Sequence, residues 1–124
     1  MKFPCSEAVC RVKDPQAWTP RKNRLMVAAC REMAVFHGRR SRELAFIYRR
    51  RGFRPDSIRT EADLKRIPML GVGAMKRFLL TSLPREEAVL RLTSSGTRGQ
   101  KTRIWFDARS LERCQSQLSA LWEQ

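Results

Sequence analysis

The spacing of the apolar residues changes along this chain, and the change limits the folds that it can form. Between residues 25 and 36 they recur every three or four positions, which predicts an amphipathic helix. From residue 88 they alternate with polar residues, as in residues 88–93 and 103–106, which predicts two strands. We therefore expect N-terminal helices followed by a strand-loop-strand-helix unit. This is the start of an α/β domain, which taken alone has an α+β composition.

The length of 124 residues suits one modest domain, because domains usually contain about 100 to 150 residues. We divide the chain into an N-terminal arm that is not helical over residues 1–20, a helical region over 21–84, and a strand, loop, strand and helix over 85–124. The last helix reaches Gln124 without a cap, a glycine or a proline. We therefore expect one incomplete domain, the opening piece of a longer chain.

Capping residues mark the limits of the first two helices. Thr19 followed by Pro20 predicts the first start, because threonine caps a helix and proline suits its first position. Gly38 predicts the end of this helix. Ser41 predicts the start of a second helix, in which residues 49–51 supply three arginines to the last turn.

Two short helices and a longer final one are predicted further along. Residues 60–63 open a third helix that Pro68 must end, and residues 72–80 form a fourth before Pro84. Asp107 predicts the start of the last helix. The apolar stripe of that helix consists of Leu111, Cys114, Leu118 and Leu121.

The four cysteines and the single histidine offer few catalytic arrangements. Cys5 and Cys10 have four residues between them, whereas Cys30 and Cys114 lie alone, so a structural zinc site would lack its second ligand pair. We expect no metal site, and we expect the cysteines to be small buried hydrophobes. His37 lies at a predicted helix end, where histidine commonly contacts the last carbonyls. A partner contact or a catalytic role is the alternative for this histidine.

A stretch rich in Ser, Thr and Gly lies between the predicted strands, at residues 93–101. Glycines let successive backbone N–H groups converge on phosphate oxygens. The side chains that add donors are those of Ser94, Ser95, Thr97 and Lys101. The stretch is not a Walker loop, because only two residues separate Gly96 from Gly99 and Gln100 stands before the lysine. Its composition suits a tight hairpin turn as well as a nucleotide site.

The same stretch resembles the ATP-phosphate loop of the adenylate-forming superfamily, which includes the acyl-CoA synthetases. Four segments indicate one branch of that superfamily. They are RIPML at 66–70, MKRFL at 75–79, LRLTSSGT at 90–97 and IWFD at 104–107. These segments resemble the acyl-protein synthetases of bacterial luminescence systems and the related phenylacetate-CoA ligases. The resemblance covers residues 40–122, and the loop is its most specific part.

The resemblance implies which residues bind the ATP phosphates. They are Ser94, Ser95, Gly96, Thr97 and Gly99, with Lys101 as the basic residue of the loop. Two positions depart from the family pattern. Arg98 stands where a small Ser or Thr is usual, and it either adds a guanidinium to the phosphates or crowds them. Lys101 comes one position early and has no proline before it.

The resemblance implies that the protein activates a fatty or aryl acid. The carboxylate attacks the α-phosphate of Mg-ATP, pyrophosphate leaves, and the acyl adenylate passes to a thiol. The implied cofactors are ATP and Mg²⁺, the partners include an acyl reductase or an acyl carrier, and no magnesium ligand or acyl-accepting cysteine falls within this chain. We therefore expect the complete enzyme to be an acid–thiol ligase, and the isolated chain to be inactive.

The charge supports an alternative function. The chain has 26 Lys and Arg against 12 Asp and Glu, a net charge of +14. The excess is concentrated in residues 21–66, where arginines 39, 40, 42 and 49–51 could line a phosphate backbone with Tyr48 beside them. The alternative is thus an Arg-rich nucleic-acid-binding or interaction module. The sequence contains no recognisable nucleic-acid-binding motif, so we rank this alternative second. The basic face would equally suit pairing with acidic residues of another segment.

The sequence contains neither a candidate membrane span nor an export signal. The longest apolar run, at 69–75, has seven residues including two glycines, whereas a span needs about 20. Charged residues interrupt the N-terminal segment that would have to be apolar in a signal peptide. We therefore expect a cytoplasmic protein.

Overall fold

The described part of the chain combines six α-helices with one antiparallel β-hairpin. It comprises residues 3–12, 14, 16–94, 99 and 101–122 of a computed structural model. The elements are α1 (Pro4–Cys10), α2 (Pro20–Arg40), α3 (Arg42–Arg50), α4 (Glu61–Leu64), α5 (Val72–Arg77), β1 (Leu90–Thr93), β2 (Arg103–Phe106) and α6 (Ala108–Trp122). Short 3-10 turns at Pro55–Ser57 and Arg85–Glu87 complete them. The order of helices, strand, strand and helix is the predicted one. With a single antiparallel strand pair, the described part is α+β.

The N-terminal arm contains a helix that the sequence did not predict. In α1, Pro4 occupies the first helical position, but no side chain of the arm caps the helix. The cap comes from α2 instead: the Glu32 carboxylate accepts hydrogen bonds from the Ser6 N–H at 2.8 Å, the Ser6 hydroxyl at 2.6 Å and the Cys5 N–H at 3.4 Å. The expectation of a non-helical arm is therefore wrong, because the capping group lies 26 residues away.

Helix α2 begins as predicted but does not end at Gly38. The Thr19 side chain accepts a hydrogen bond from the Lys22 N–H, and Pro20 starts the helix. The helix then continues through Gly38 to Arg40. Gly38 faces the Tyr48 ring of α3, and a Cβ built on it would lie 2.9 Å from Cε2 of that ring. The glycine therefore permits close helix packing and does not stop the helix.

The predicted caps of α3, α4 and α6 are confirmed. The Ser41 hydroxyl accepts from the Leu44 N–H at 3.3 Å, and Thr60 and Asp63 form a capping box. Asp107 Oδ1 accepts from the Ser110 N–H at 2.7 Å. Helix α4 ends at Leu64, four residues before the proline that was expected to end it.

The core lies where α2 and α3 meet the segment that follows α3. Its buried apolar residues are Val27, Ala34, Tyr48, Phe53 and Ile58, with Leu44, Leu64 and Ile67 packed against them. The rings of Tyr48 and Phe53 pack edge to face at 4.9 Å. Gly52, with φ of +59°, turns the chain after α3 in the left-handed conformation that glycine adopts readily. This core holds the end of α2 in place, and the candidate site described below is built on that end.

The two strands predicted from the alternating apolar residues pair as an antiparallel hairpin. Leu90 pairs with Phe106 and Leu92 pairs with Ile104. These side chains therefore share one face, while Arg91 and Trp105 pair on the other, where the guanidinium lies 5.1 Å from the indole centroid.

Helix α6 is joined by ion pairs to α1, which lies near the other end of the sequence. The Glu7 carboxylate pairs with Arg109 at 2.7 Å and with Arg113. The apolar stripe of α6 is largely uncovered, since Cys114 and Leu118 are both exposed. The side chain of Leu121 lies outside the described residues.

Candidate functional site

The Ser-, Thr- and Gly-rich loop closes the β1–β2 hairpin. At its base the Ser94 N–H donates to the Thr102 carbonyl at 3.0 Å, and the Thr102 N–H donates to the Ser94 hydroxyl at 3.0 Å. Gly99 has φ of +98°, a conformation that favours glycine, and Lys101 is exposed. The other predicted phosphate ligands, Ser95, Gly96 and Thr97, lie outside the described residues, as does Arg98.

The Ser94 hydroxyl helps to close the base of the hairpin. It accepts a hydrogen bond from the Thr102 N–H, and a serine hydroxyl also carries one hydrogen that it can donate.

A cavity of about 500 Å³ lies beside the hairpin. Strand β2, which leads out of the loop, forms one wall, and the end of α2 forms another. The apolar part of the lining consists of Phe3, Phe36, Leu44, Leu70, Met75, Leu80, Leu83, Ile104 and Trp105. The charged part consists of Arg40, Arg103, Arg109, Glu87 and Asp107. Pockets for small molecules typically have about 300–1,000 Å³ and this mixture of apolar walls with a few polar groups.

The three arginines of the cavity are held differently. Arg109 pairs with Glu7, and the Arg40 guanidinium lies 5.6 Å from the Phe36 ring centroid. Arg103 is exposed and makes no ion pair with a described acid. It is also the first residue of β2 after the loop. Arg103 is therefore the cation best placed to meet an anionic group that enters from the loop side.

The polar floor of the cavity contains His37, which does not cap α2. Its Nδ1 lies 2.8 Å from the Ser82 hydroxyl, in the segment after α5. The last turn of α2 is closed instead by the Ser41 N–H, which donates to the His37 carbonyl at 2.8 Å. The expected capping function of the His37 side chain is therefore wrong. Burial lowers the pKa of His37, so the imidazole is neutral near pH 7 and the hydrogen bond to Ser82 joins two neutral groups.

Asp107 is a fixed negative charge at the edge of the cavity. Burial raises the pKa of its carboxyl, but hydrogen bonds from Ser110 and the charges of Arg113 and Arg109 outweigh burial and lower the pKa overall. The carboxylate is therefore ionised at neutral pH. It caps α6 and stays within the cavity wall.

The described residues contain no group of three or more His, Cys, Asp and Glu side chains close enough to hold a metal ion. Cys5, Cys10 and Cys30 are half-buried, and burial raises the pKa of the Cys30 thiol. Cys114 is exposed, so the expectation that it is a buried hydrophobe is wrong.

The aromatic residue that lies exposed beside the arginines of α3 is not the one that the sequence predicted. Arginines 39, 40, 42 and 49–51 are exposed as expected. Tyr48, which was predicted to lie beside them, is buried against Phe53. Phe46 is exposed instead, at 56% of its surface. Counting positions from Arg42 around the helix could have located this phenylalanine, because residues 42, 46, 49 and 50 fall on one side.

Across the described residues, no helix has the length and apolar character needed to cross a membrane. No protein-family model matches the chain, and neither the curated proteins nor the solved structures give a match.

Proposed function

We propose that this chain supplies the ATP-phosphate loop and part of the acid pocket of an adenylate-forming acid–thiol ligase of the acyl-protein synthetase type. One observation carries the proposal: β2 connects the loop directly to the cavity. The loop ends at Thr102, and the next three residues, Arg103–Trp105, line the cavity wall. ATP phosphates on the loop and an acid in the cavity would thus be neighbours.

The cavity lining suits a carboxylic acid with an apolar body. The aromatic and aliphatic walls exclude water from a fatty or aryl group, which favours its binding at about 25 cal/mol per Å² of apolar surface buried. Arg103 attracts the carboxylate to the end of the cavity nearest the loop, where attack on phosphorus must occur. The substrate class is therefore a hydrophobic acid.

The loop acts on the phosphate groups. The acid carboxylate forms a bond to the α-phosphorus of ATP, the bond to the β-phosphate oxygen breaks, and pyrophosphate leaves with its electron pair. Hydroxyls, backbone N–H groups and Lys101 in the loop would stabilise the charge on the departing pyrophosphate. The acyl adenylate then passes to a thiol outside the described site, since no cysteine lines the cavity.

Ligand binding tests the loop. We expect Mg-ATP and pyrophosphate to compete for one site in calorimetric titrations, and AMP to bind much more weakly because it lacks the β- and γ-phosphates. The double variant Gly96→Ala/Thr97→Ala should abolish measurable pyrophosphate binding. The control is Gly73→Ala in α5, where an added Cβ meets no atom within 4 Å. Equal pyrophosphate affinity in the double variant and the control would remove the loop from the proposal.

The activity itself is tested in the complete enzyme. We expect exchange of labelled pyrophosphate into ATP that depends on an added fatty or aryl acid. The loop double variant should reduce this exchange on the order of 100-fold, the effect typical of a lost donor at a developing negative charge. Exchange that needs no acid would refute the proposed reaction.

Tryptophan fluorescence tests the cavity. Trp18 and Trp122 are exposed, so Trp18→Phe/Trp122→Phe should fold normally and leave Trp105 as the only tryptophan. Decanoate should change the emission of this variant in a saturable way. Decanol should bind more weakly, because it has no carboxylate to pair with Arg103. Arg103→Gln should remove the difference between the acid and the alcohol. An undiminished preference for decanoate in that variant would contradict the assignment of Arg103.

A further inference from the structure

Helix α3 presents one exposed stripe of three arginines and a phenylalanine. Arg42, Phe46, Arg49 and Arg50 recur at intervals of four, three and one, which places them on one side of a helix. All four are exposed, and Phe46 exposes 56% of its surface. An aromatic ring of this size held in water between cations is not explained by packing, because the core on the opposite side of α3 is made by Leu44 and Tyr48.

The charge of this stripe is not neutralised within the described chain. No ion pair within 4.0 Å joins a described acid to Arg42, Arg49 or Arg50. The one acid of α3, Glu43, accepts a hydrogen bond from the Ser41 hydroxyl at the opposite end from Arg49 and Arg50. The exposed arginines at 39, 40 and 51 extend the positive surface beyond both ends of the stripe.

We propose that this stripe binds single-stranded nucleic acid. The guanidinium groups would pair with backbone phosphates in the two-pronged geometry that suits arginine, and an unpaired base would stack on Phe46. In a duplex the bases are stacked on one another inside the helix, so none is available to stack on Phe46. An acidic peptide without apolar side chains would satisfy the arginines but leave Phe46 in water. This function is independent of the acid activation proposed above.

Replacement of the ring tests the stacking. Anisotropy of a labelled oligothymidylate of about 12 nucleotides, a length in the usual range for one such module, measures the affinity. Phe46→Ala should weaken binding roughly 10-fold or more, the loss typical of one base–aromatic stack. The control is Phe78→Ala, which removes an equally exposed ring (57%) near the end of α5 and should change nothing. Equal affinity of the Phe46 and Phe78 variants would overturn the proposal.

The salt dependence tests the phosphate contacts. Arg42→Gln/Arg49→Gln/Arg50→Gln should lower the slope of log affinity against log salt concentration by about 2, because each lost contact to a single strand contributes about 0.7. Phe46→Ala should leave that slope unchanged. A control triple with the same loss of charge, Arg21→Gln/Arg77→Gln/Arg85→Gln, should affect the slope far less. If both triples act alike, only net charge attracts the oligonucleotide, and the stripe is not a site.

Two competitors test the identity of the partner. A duplex of the same length should bind at least 10-fold more weakly than the single strand, and its loss of affinity on Phe46→Ala should be negligible. Polyglutamate should not displace the oligonucleotide at matched charge concentration. Tight duplex binding, or displacement by polyglutamate, would overturn the proposal in favour of a duplex or an acidic protein. Circular dichroism of each variant verifies that the helices remain folded.

Discussion

Replacing Gly38 by alanine tests whether close packing of α2 on α3 determines the stability of this fold. Gly38 lies inside α2, where alanine is normally the better residue. Here the added Cβ would lie 2.9 Å from Cε2 and 3.0 Å from Cδ2 of Tyr48. The Tyr48 ring is itself buried and packs on Phe53 at 4.9 Å, so it cannot move aside without disturbing the core.

Two opposing effects decide the outcome of this substitution. Alanine in place of glycine in a helix interior stabilises a protein by about 1 kcal/mol. Overpacking of a filled core destabilises it by about 1–3 kcal/mol. We therefore expect Gly38→Ala to lower the free energy of unfolding by about 1 kcal/mol. For a domain of this size the loss corresponds to a fall in melting temperature on the order of 4 °C.

Thermal and urea unfolding followed by circular dichroism measure this effect. The control is Gly73→Ala, because Gly73 is also helical but has open space around it, so alanine there should stabilise or be neutral. In a Tyr48→Ala background the ring is gone, and Gly38→Ala should then stabilise. If Gly38→Ala costs the same free energy with and without the Tyr48 ring, the packing argument is refuted.

Three further perturbations address the core, a cap and an ion pair. Because Ile58 is only 1% exposed, Ile58→Ala should lower the free energy of unfolding by about 2–5 kcal/mol and Ile58→Val by only about 0.5–1.5 kcal/mol. Equal urea midpoints for the two variants would be inconsistent with a filled core. Ser41→Ala should destabilise by about 1 kcal/mol through loss of the α3 cap, whereas Ser41→Gly should cost only a few tenths of a kcal/mol; equal costs would argue against capping. The hydrogen bond from Arg113 lowers the pKa of Glu7 below its ordinary value of 4.5, so the stabilisation is complete above that value and is lost as the pH falls through the lower folded-state pKa. Glu7→Gln should therefore flatten the dependence of the urea midpoint on pH between about 5 and 2, and an unchanged dependence would show that other groups cause it.

Local features of this fold could be predicted from the sequence, and contacts between distant segments could not. Thr19, Ser41 and Asp107 cap helices because a side chain and a backbone N–H two or three residues away suffice to form the cap. Helix α1, in contrast, is capped by Glu32, and Gly38 is required inside α2 by the Tyr48 ring opposite it. Neither contact leaves a periodic pattern in the sequence.

The same distinction applies to the candidate sites. The two strands that carry the loop follow from alternating apolar residues, so their existence was predictable. The cavity was not, because it forms only where β2, the end of α2 and the segment around Ser82 come together. Phe46 and Tyr48 are two positions apart, and only the packing of α3 shows that the first is exposed and the second is buried.

The contact between Glu7 and Arg113 sets an order of events during synthesis. The two residues are separated by 106 positions, so α1 leaves the ribosome long before its partner on α6 exists. Glu32 emerges much earlier and can hold α1 on α2 in the meantime. Helix α1 is therefore synthesised long before its final environment is complete. A nascent chain arrested before residue 113 should protect α1 from proteases less well than a chain that includes α6.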